Sequence, residues 1–174
     1  MIFSLYKSPI GDLMIVSSDE GISYLWFVDE GKREAIIKRM EKDTGSWLIE
    51  GTNDIILECK KQLKEYFDGD RQEFKIPIDI NGTNFQTTIW NLLKKIPFGK
   101  TKTYLELGKQ YGDPKAVRAI GAANGENPIG IIIPCHRVIS SKGELTGYAG
   151  GVWRKEWLLE HEQKVLGVGQ TRLF

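Results

Sequence analysis

Two cysteines, Cys59 and Cys135, and two histidines, His136 and His161, are all that this 174-residue chain offers toward disulfides or soft metal sites. One bridge at most could form, so a disulfide framework is excluded. A four-ligand zinc site would consume all four residues, and their spacing matches no compact zinc motif. No metal and no cofactor is expected. Nor does any segment approach the roughly 18 consecutive apolar residues that a membrane span requires; even the run IGIIIP at 129–134 is short. The opening MIFSLYKSPIGDL lacks the basic start, sustained apolar stretch and small-residue cleavage site of an export signal. A soluble, cytoplasmic protein with free thiols and no membrane partner is the expectation.

What is present is the composition of a folded protein: 41% hydrophobic and 27% charged residues, with five tryptophans. The length allows one domain or two small ones. A net charge of +1 conceals a division, because residues 1–79 hold 11 Lys and Arg against 16 Asp and Glu, and residues 80–174 hold 13 against 7. Phosphate binding needs local rather than global positive charge, so the second half is the candidate for contact with nucleic acid.

IFSLY, LMIVSS and ISYLWFV, separated by the turn-like SPIGD and DEG, read as antiparallel strands. KREAIIKRMEKD follows at roughly helical spacing, and GSWLIEGTN reads as an irregular connection. From Asp54 to Asp68, Ile55, Ile56, Cys59, Leu63, Tyr66 and Phe67 form one apolar helix face that Gly69 terminates. Cys59 on that face reads as a small buried hydrophobe. FKIPIDI is a short strand or an extended linker, since Pro77 excludes a central strand. With the change in charge balance this sets a boundary near residue 80, giving a sheet-plus-helix domain over 1–79 and a mostly helical one over 80–174.

In the second half, FQTTIWNLLKKI is amphipathic at helical spacing and PFGK ends it. Thr103 can cap YLELGKQY, which Gly112 stops, and Asp113 with Pro114 opens PKAVRAIGAAN. Two short helices joined by a tight Gly-Asp turn suggest a helix-turn-helix. Ala116 and Ala119 beside Lys115 and Arg118 would allow close backbone approach to a groove. The whole is α+β, a small antiparallel-sheet domain followed by a winged helix-turn-helix-like domain.

The run IGIIIP reads as a buried strand that delivers into CHRVIS. Neighbours on a regular strand face opposite ways, so Cys135 and His136 need a turn at Pro134, or a bridging water, to cooperate. A thiolate is the reactive form of cysteine, and histidine can favour it by taking the proton. A third group usually orients the imidazole, with Glu156, Glu160 and Glu162 as the acidic candidates.

PCHRV at 134–138 resembles the active-site motif of the O6-alkylguanine-DNA alkyltransferases. The likeness extends from Phe85 to about Gly167 through the Tyr104 region, KAVRAIGAAN, ENPIGIIIPCHRVI, the GYAGG turn and KEWLLEHE. The first half is similar only in general character. The resemblance implies a single-turnover DNA repair protein that flips O6-methylguanine out of double-stranded DNA and keeps the alkyl group on Cys135 as a thioether. By the same resemblance His136 is the base, acting through a water, Glu162 its orienting carboxylate, and Asn127 the brace of the turn before the active site. Tyr104 helps rotate the nucleotide and donates to the base, while Arg118 fills the gap it leaves. Main chain at Cys135 and Val138 reads the guanine amino group, Tyr148 packs on the base, the N–H of Ala149 contacts O6, and Lys155 lies beside the pocket. Ala116 and Ala119 line the DNA-facing helix, and the acting species is a monomer.

Two departures from the family pattern stand out. Ala149 replaces a common serine and Gly130 a common proline, which raises tolerance of larger alkyl groups or of O4-methylthymine as an expectation. The N-terminal half also lacks the cysteines and histidines that bind zinc in some relatives. Rival readings are a Cys-His-Glu hydrolase of a small molecule and a non-catalytic binder of alkylated bases, although relatives of the latter kind replace the cysteine that PCHRV here retains.

Overall fold

The computed structural model describes residues 1–168; the end of the 80–174 domain lies outside the described residues. The fold is mixed α+β, and the chain divides into two compact units, Met1–Ile80 and Asn81–Phe174.

The first unit is built on a four-stranded sheet ordered β3-β2-β1-β4. Strands β1 (Ile2–Ser8), β2 (Gly11–Ser17) and β3 (Ile22–Phe27) are antiparallel neighbours. Residues 13–16, LMIV, are a continuous apolar run because β2 is buried on both faces. Met14 and Val16 pack with Phe3, Met40 and Leu48, and with Ile36 and Ile37 of α1 (Arg33–Thr44). Leu13 and Ile15 point to the other face, and α2 (Asp54–Asp68) packs on β1, β2 and β3. Asn53 caps α2 by accepting from the Ile56 N–H, and Gly69 ends it in a left-handed conformation. Cys59 is buried, with its thiol pushed up to about 12 chiefly by desolvation.

GSWLIEGTN differs from the sequence reading, while FKIPIDI runs extended along a sheet edge as that reading allowed. GSWLIEGTN contains β4 (Ile49–Glu50), two exposed residues that pair in parallel with Ile2 and Phe3 through backbone alone and so leave no apolar alternation to read. In FKIPIDI, the Pro77 carbonyl accepts from Ile22 N–H and Asp79 N–H donates back to Ile22. Proline is tolerated there because an edge position does not require its missing donor.

The second unit carries α3 (Asn84–Leu93), β5 (Lys102–Thr103), α4 (Tyr104–Tyr111), α5 (Val117–Gly125), a 3-10 turn (Cys135–Arg137), β6 (Val138–Ile139) and α6 (Val152–Val165). Capping boxes open α3 (Thr83 with Gln86) and α4 (Thr103 with Glu106). Helix α5 starts three residues after Pro114, not at it: Asp113 spends its side chain on the Lys115 N–H and its carbonyl on the Ala116 N–H, closing a separate turn first. Strands β5 and β6 pair in parallel, Lys102 with Val138 and Thr103 with Ile139, which ties the start of the helix pair to the segment after Cys135.

Candidate active site

Residues 129–133 are not the strand that their alternation suggests. Ile129, Ile131 and Ile133 are buried, yet the backbone runs through consecutive turns: Ile132 N–H donates to Gly130, Ile133 N–H to Ile129 and Cys135 N–H to Ile133. Asn127 takes the place of a partner strand. Its Oδ1 accepts from Ile129 N–H at 2.9 Å and its Nδ2 donates to the Ile133 carbonyl at 2.8 Å. Ile131 has a φ of 69°, a left-handed conformation that a β-branched residue adopts only when its surroundings over-determine it.

Cys135 then opens the 3-10 turn. Three residues per turn place neighbours about 120° apart rather than on opposite faces, which resolves the strand geometry that would have kept Cys135 and His136 apart. Both are buried. Val138 is buried at the end of the turn and donates its N–H to the Cys135 carbonyl.

Behind the turn lies Glu162, fully buried on α6. Its Oε1 is 2.8 Å from His136 Nε2. Arg137 donates to the same carboxylate from Nε and Nη2 at 3.0 and 2.9 Å, and the Gly99 N–H donates to Oε2 at 2.9 Å. Arg137 also donates to the Ile96 carbonyl and covers the Phe98 ring. Burial alone would raise the Glu162 pKa, but His136 and Arg137 hold it well below the usual carboxylate range. For His136 burial prevails, lowering its pKa despite Glu162, so the ring is neutral at neutral pH. A neutral imidazole facing a carboxylate carries its proton on that nitrogen, Nε2. The lone pair is then on Nδ1, which is buried and bonded to no protein group.

The Cys135 thiol is pushed up to about 11 by burial, while the Asn127 amide, the Lys155 ammonium and the N–H groups of Cys135 and His136 pull the other way. Lys155 is itself fully buried, its pKa brought down to about 8 by desolvation, and Nζ donates to the Thr146 carbonyl. Tyr104, half-buried at the start of α4, has its pKa raised by burial and interacts with Thr146, Cys135 and Asn124. The Tyr148 phenol oxygen is buried, and its pKa is raised by burial and then by Cys135. Ala149 is exposed in the same loop, as are Arg118 and Ala119 on α5, with Ala116 half-buried.

The structure thus brings Cys135, His136, Glu162, Asn127, Lys155, Tyr104, Tyr148 and Val138 into one neighbourhood. Arg118, Ala116 and Ala119 lie on a separate helix surface. Sequence reasoning missed Arg137, Gly99 and Asn124, whose Nδ2 reaches the Cys135 carbonyl at 3.5 Å. The one available signal was Arg137 itself, a lone charge inside the apolar run IIIPCHRVI that must find a buried partner. Among the described residues, no three His, Cys, Asp or Glu side chains gather as a metal site, and no helix is long and apolar enough to cross a membrane.

Buried Lys155 gives stability a pH dependence of definite sign. The folded protein releases this proton near 8 and the unfolded chain near 10.5. Between these values the unfolded state holds more protons, so stability rises with pH, and the cost of burying the ammonium is fully present below 8. Cys135 and Cys59 act oppositely, because their thiols sit near 11 and 12 rather than 9.0 and favour the folded state less as pH climbs above 9. Lys155→Met is expected to lose stability relative to the wild type as pH rises through the lysine window. Urea midpoints below, within and above that window check this, and a pH-independent difference contradicts it.

Two family models match the chain: "6-O-methylguanine DNA methyltransferase, ribonuclease-like domain" over residues 1–80, and the "DNA binding domain" of the same name over residues 84–164. A methylated-DNA--protein-cysteine methyltransferase of Methanosarcina acetivorans is 42% identical over 162 residues, which are 93% of this chain and 98% of that protein. The chain belongs to the 6-O-methylguanine DNA methyltransferase family. A second family member of the same name, from Mycobacterium leprae, is 43% identical over 156 residues, covering 90% of this chain and 88% of that one. Among solved structures, the Mycobacterium tuberculosis methyltransferase OGT in complex with DNA superposes with a TM-score of 0.82 at 37% identity, covering 95% of this chain and 94% of that one. Within the family's DNA-binding domain, the buried Cys135, His136 and Glu162 and the exposed face of α5 fall inside the matched residues.

Proposed function

We propose that this protein repairs alkylated double-stranded DNA by moving the alkyl group from O6 of guanine, and in a second lesion class from O4 of thymine, onto Cys135. The observation that carries the reading is the buried His136–Glu162 pair, its carboxylate locked by Arg137 and Gly99, directly beside the buried Cys135 in one 3-10 turn. Helix α5 enters the groove, and Arg118 on its exposed face occupies the space of the flipped nucleotide. The Cys135 proton passes to Nδ1 of His136, the nitrogen that holds the lone pair, directly or through a bridging water. Sulfur then attacks the alkyl carbon as the carbon–O6 bond breaks, and Tyr104 donates a hydrogen bond to the departing guanine. A thiol held near 11 is almost wholly protonated at neutral pH, so this proton transfer is the step that makes the nucleophile.

The thioether is a stable end product and no step of this chemistry returns the thiol, so each molecule acts once. The acting species in this reading is a monomer, and a reducing cytoplasm suits the unpaired thiols of Cys59 and Cys135. The test is intact-mass analysis after incubation with a duplex bearing O6-methylguanine. We expect a gain of one methyl group per chain, mapped to the peptide containing Cys135 and absent in Cys135→Ala. An unchanged mass overturns the reading, and continued turnover of a small ester would favour a hydrolase instead.

A further inference from the structure

The segment from Thr146 to Gly151 carries Tyr148 and Ala149 but contains no helix or strand. Gly147 and Gly151 take positive φ values of 46° and 93°, and within the segment the Gly151 N–H donates to the Tyr148 carbonyl. Such a loop has little of its own to fix it. It is fixed by the first turn of α6, where three successive residues each close on a different point. The Trp153 indole lies against Gly151, so near that a Cβ there would meet Cδ1 and Nε1 at 3.3 Å. Arg154 Nη1 donates to the Gly150 carbonyl at 2.9 Å, and Lys155 Nζ to the Thr146 carbonyl at 3.0 Å.

Consecutive residues on a helix do not face one another, so three in a row reaching one segment means that the loop wraps around the end of the helix. The arrangement is also costly in a way that core packing does not require. Arg154 is buried, with its guanidinium 4.7 Å from the centroid of the Trp153 ring, while Trp153 itself remains 55% exposed. Both side chains close on the loop, Trp153 at Gly151 and Arg154 at Gly150.

We propose that Trp153 and Arg154 are positioning residues that hold the Thr146–Gly151 wall in place and so set the size of alkyl group that Cys135 accepts. The inference rests on the alkyl-transfer reading above. A fixed wall aligns a small methyl group against sulfur; a loosened wall gives up that alignment but admits a larger group.

The test compares transfer rates from duplexes bearing O6-methylguanine and O6-benzylguanine for the wild type, Trp153→Ala, Arg154→Gln and Arg154→Lys, with hydrogen exchange of residues 146–151 measured alongside. In Trp153→Ala and Arg154→Gln we expect faster exchange in the loop and a benzyl-to-methyl rate ratio raised about tenfold. Arg154→Lys, which can still donate to Gly150, should restore the ratio to within about twofold of the wild type. Trp153 is mostly exposed, so its variant keeps the test open if an Arg154 variant does not fold. An unchanged ratio with faster exchange overturns the role in selectivity, and unchanged exchange overturns the clamp. A wild type that gains neither group overturns the alkyl-transfer reading itself, an outcome distinct from both.

Discussion

Replacing Glu162 with alanine should both unfold the second unit more easily and nearly silence transfer. The carboxylate is the shared acceptor of His136, Arg137 and the Gly99 N–H, so its removal leaves a guanidinium in a dry site with the Ile96 carbonyl and the Phe98 ring but no counter-charge. Removing one partner of a buried ion pair costs about 3–5 kcal/mol, far more than the pair contributes relative to an apolar replacement. On the rate, losing the group that fixes the imidazole tautomer should slow transfer by about a hundredfold or more, the scale of a positioned general base. Glu162→Gln separates the two effects: it retains an acceptor for Gly99 but no charge for Arg137 or His136. It should fold better than the alanine variant and still transfer slowly. Urea unfolding and single-turnover transfer measure them independently, and a glutamine variant at wild-type rate would remove Glu162 from the mechanism.

The same cluster fixes the acid limb. Glu162 titrates well below its ordinary 4.5, so its contribution is complete above that value and is lost as pH falls through the folded pKa. His136 is lowered from 6.5 by burial, so below 6.5 the unfolded state takes up a proton that the folded state resists, and stability falls from there downward. Transfer should hold through this limb and fall only at lower pH, as pH passes through the lowered pKa of folded His136, because a protonated His136 has no lone pair to offer. Glu162→Gln should lose the lower part of this stability slope and keep the upper part.

The second large effect is expected at Asn127. Alanine there strips the Asn127 acceptor from the Ile129 N–H, at about 1–3 kcal/mol for a buried donor left unsatisfied, and takes one of two donors from the Ile133 carbonyl, which keeps the Cys135 N–H. It also releases the surroundings that hold Ile131 at positive φ. Asn127→Asp is the sharper probe. The aspartate can still accept from Ile129 but sets a carboxylate against the Ile133 carbonyl, and it replaces with negative charge the amide that draws the Cys135 pKa down. Its transfer rate should therefore fall at least as far as that of the alanine variant. Thermal unfolding and single-turnover rates check both, and an aspartate variant faster than alanine would show that the amide does not act on the thiol.

Much of this was legible in the chain itself. The capped helices α2, α3 and α4 carry their signals in Asn53, Thr83, Thr103, Gly69 and Gly112, because caps are local chemistry. Cys135 and His136 are adjacent in sequence, and Glu162 was one of three acids on a recognisable helix. The segment 129–133 was not legible as turns, since buried isoleucines at alternate positions look the same whether a neighbouring strand or the Asn127 side chain satisfies the backbone. Helix α5 was read as beginning at Pro114 because the rule for a proline at a helix start is blind to Asp113 closing a turn of its own. Strand β4 exists only through pairing with β1, and the partnership of Arg137, Gly99 and Glu162 spans sequence distances that no local pattern records.

That last partnership bears on the order of synthesis. Glu162 is separated from His136 by 26 positions and from Gly99 by 63, and it lies on α6. A ribosome releases Cys135, His136 and Arg137 well before the carboxylate that organises them. A nascent chain at that stage has a thiol with no oriented base, and an arginine with no acid, so the sulfur stays chemically quiet. The capacity to react arrives only with α6, which makes a reagent that can be spent once hard to spend before that helix is made.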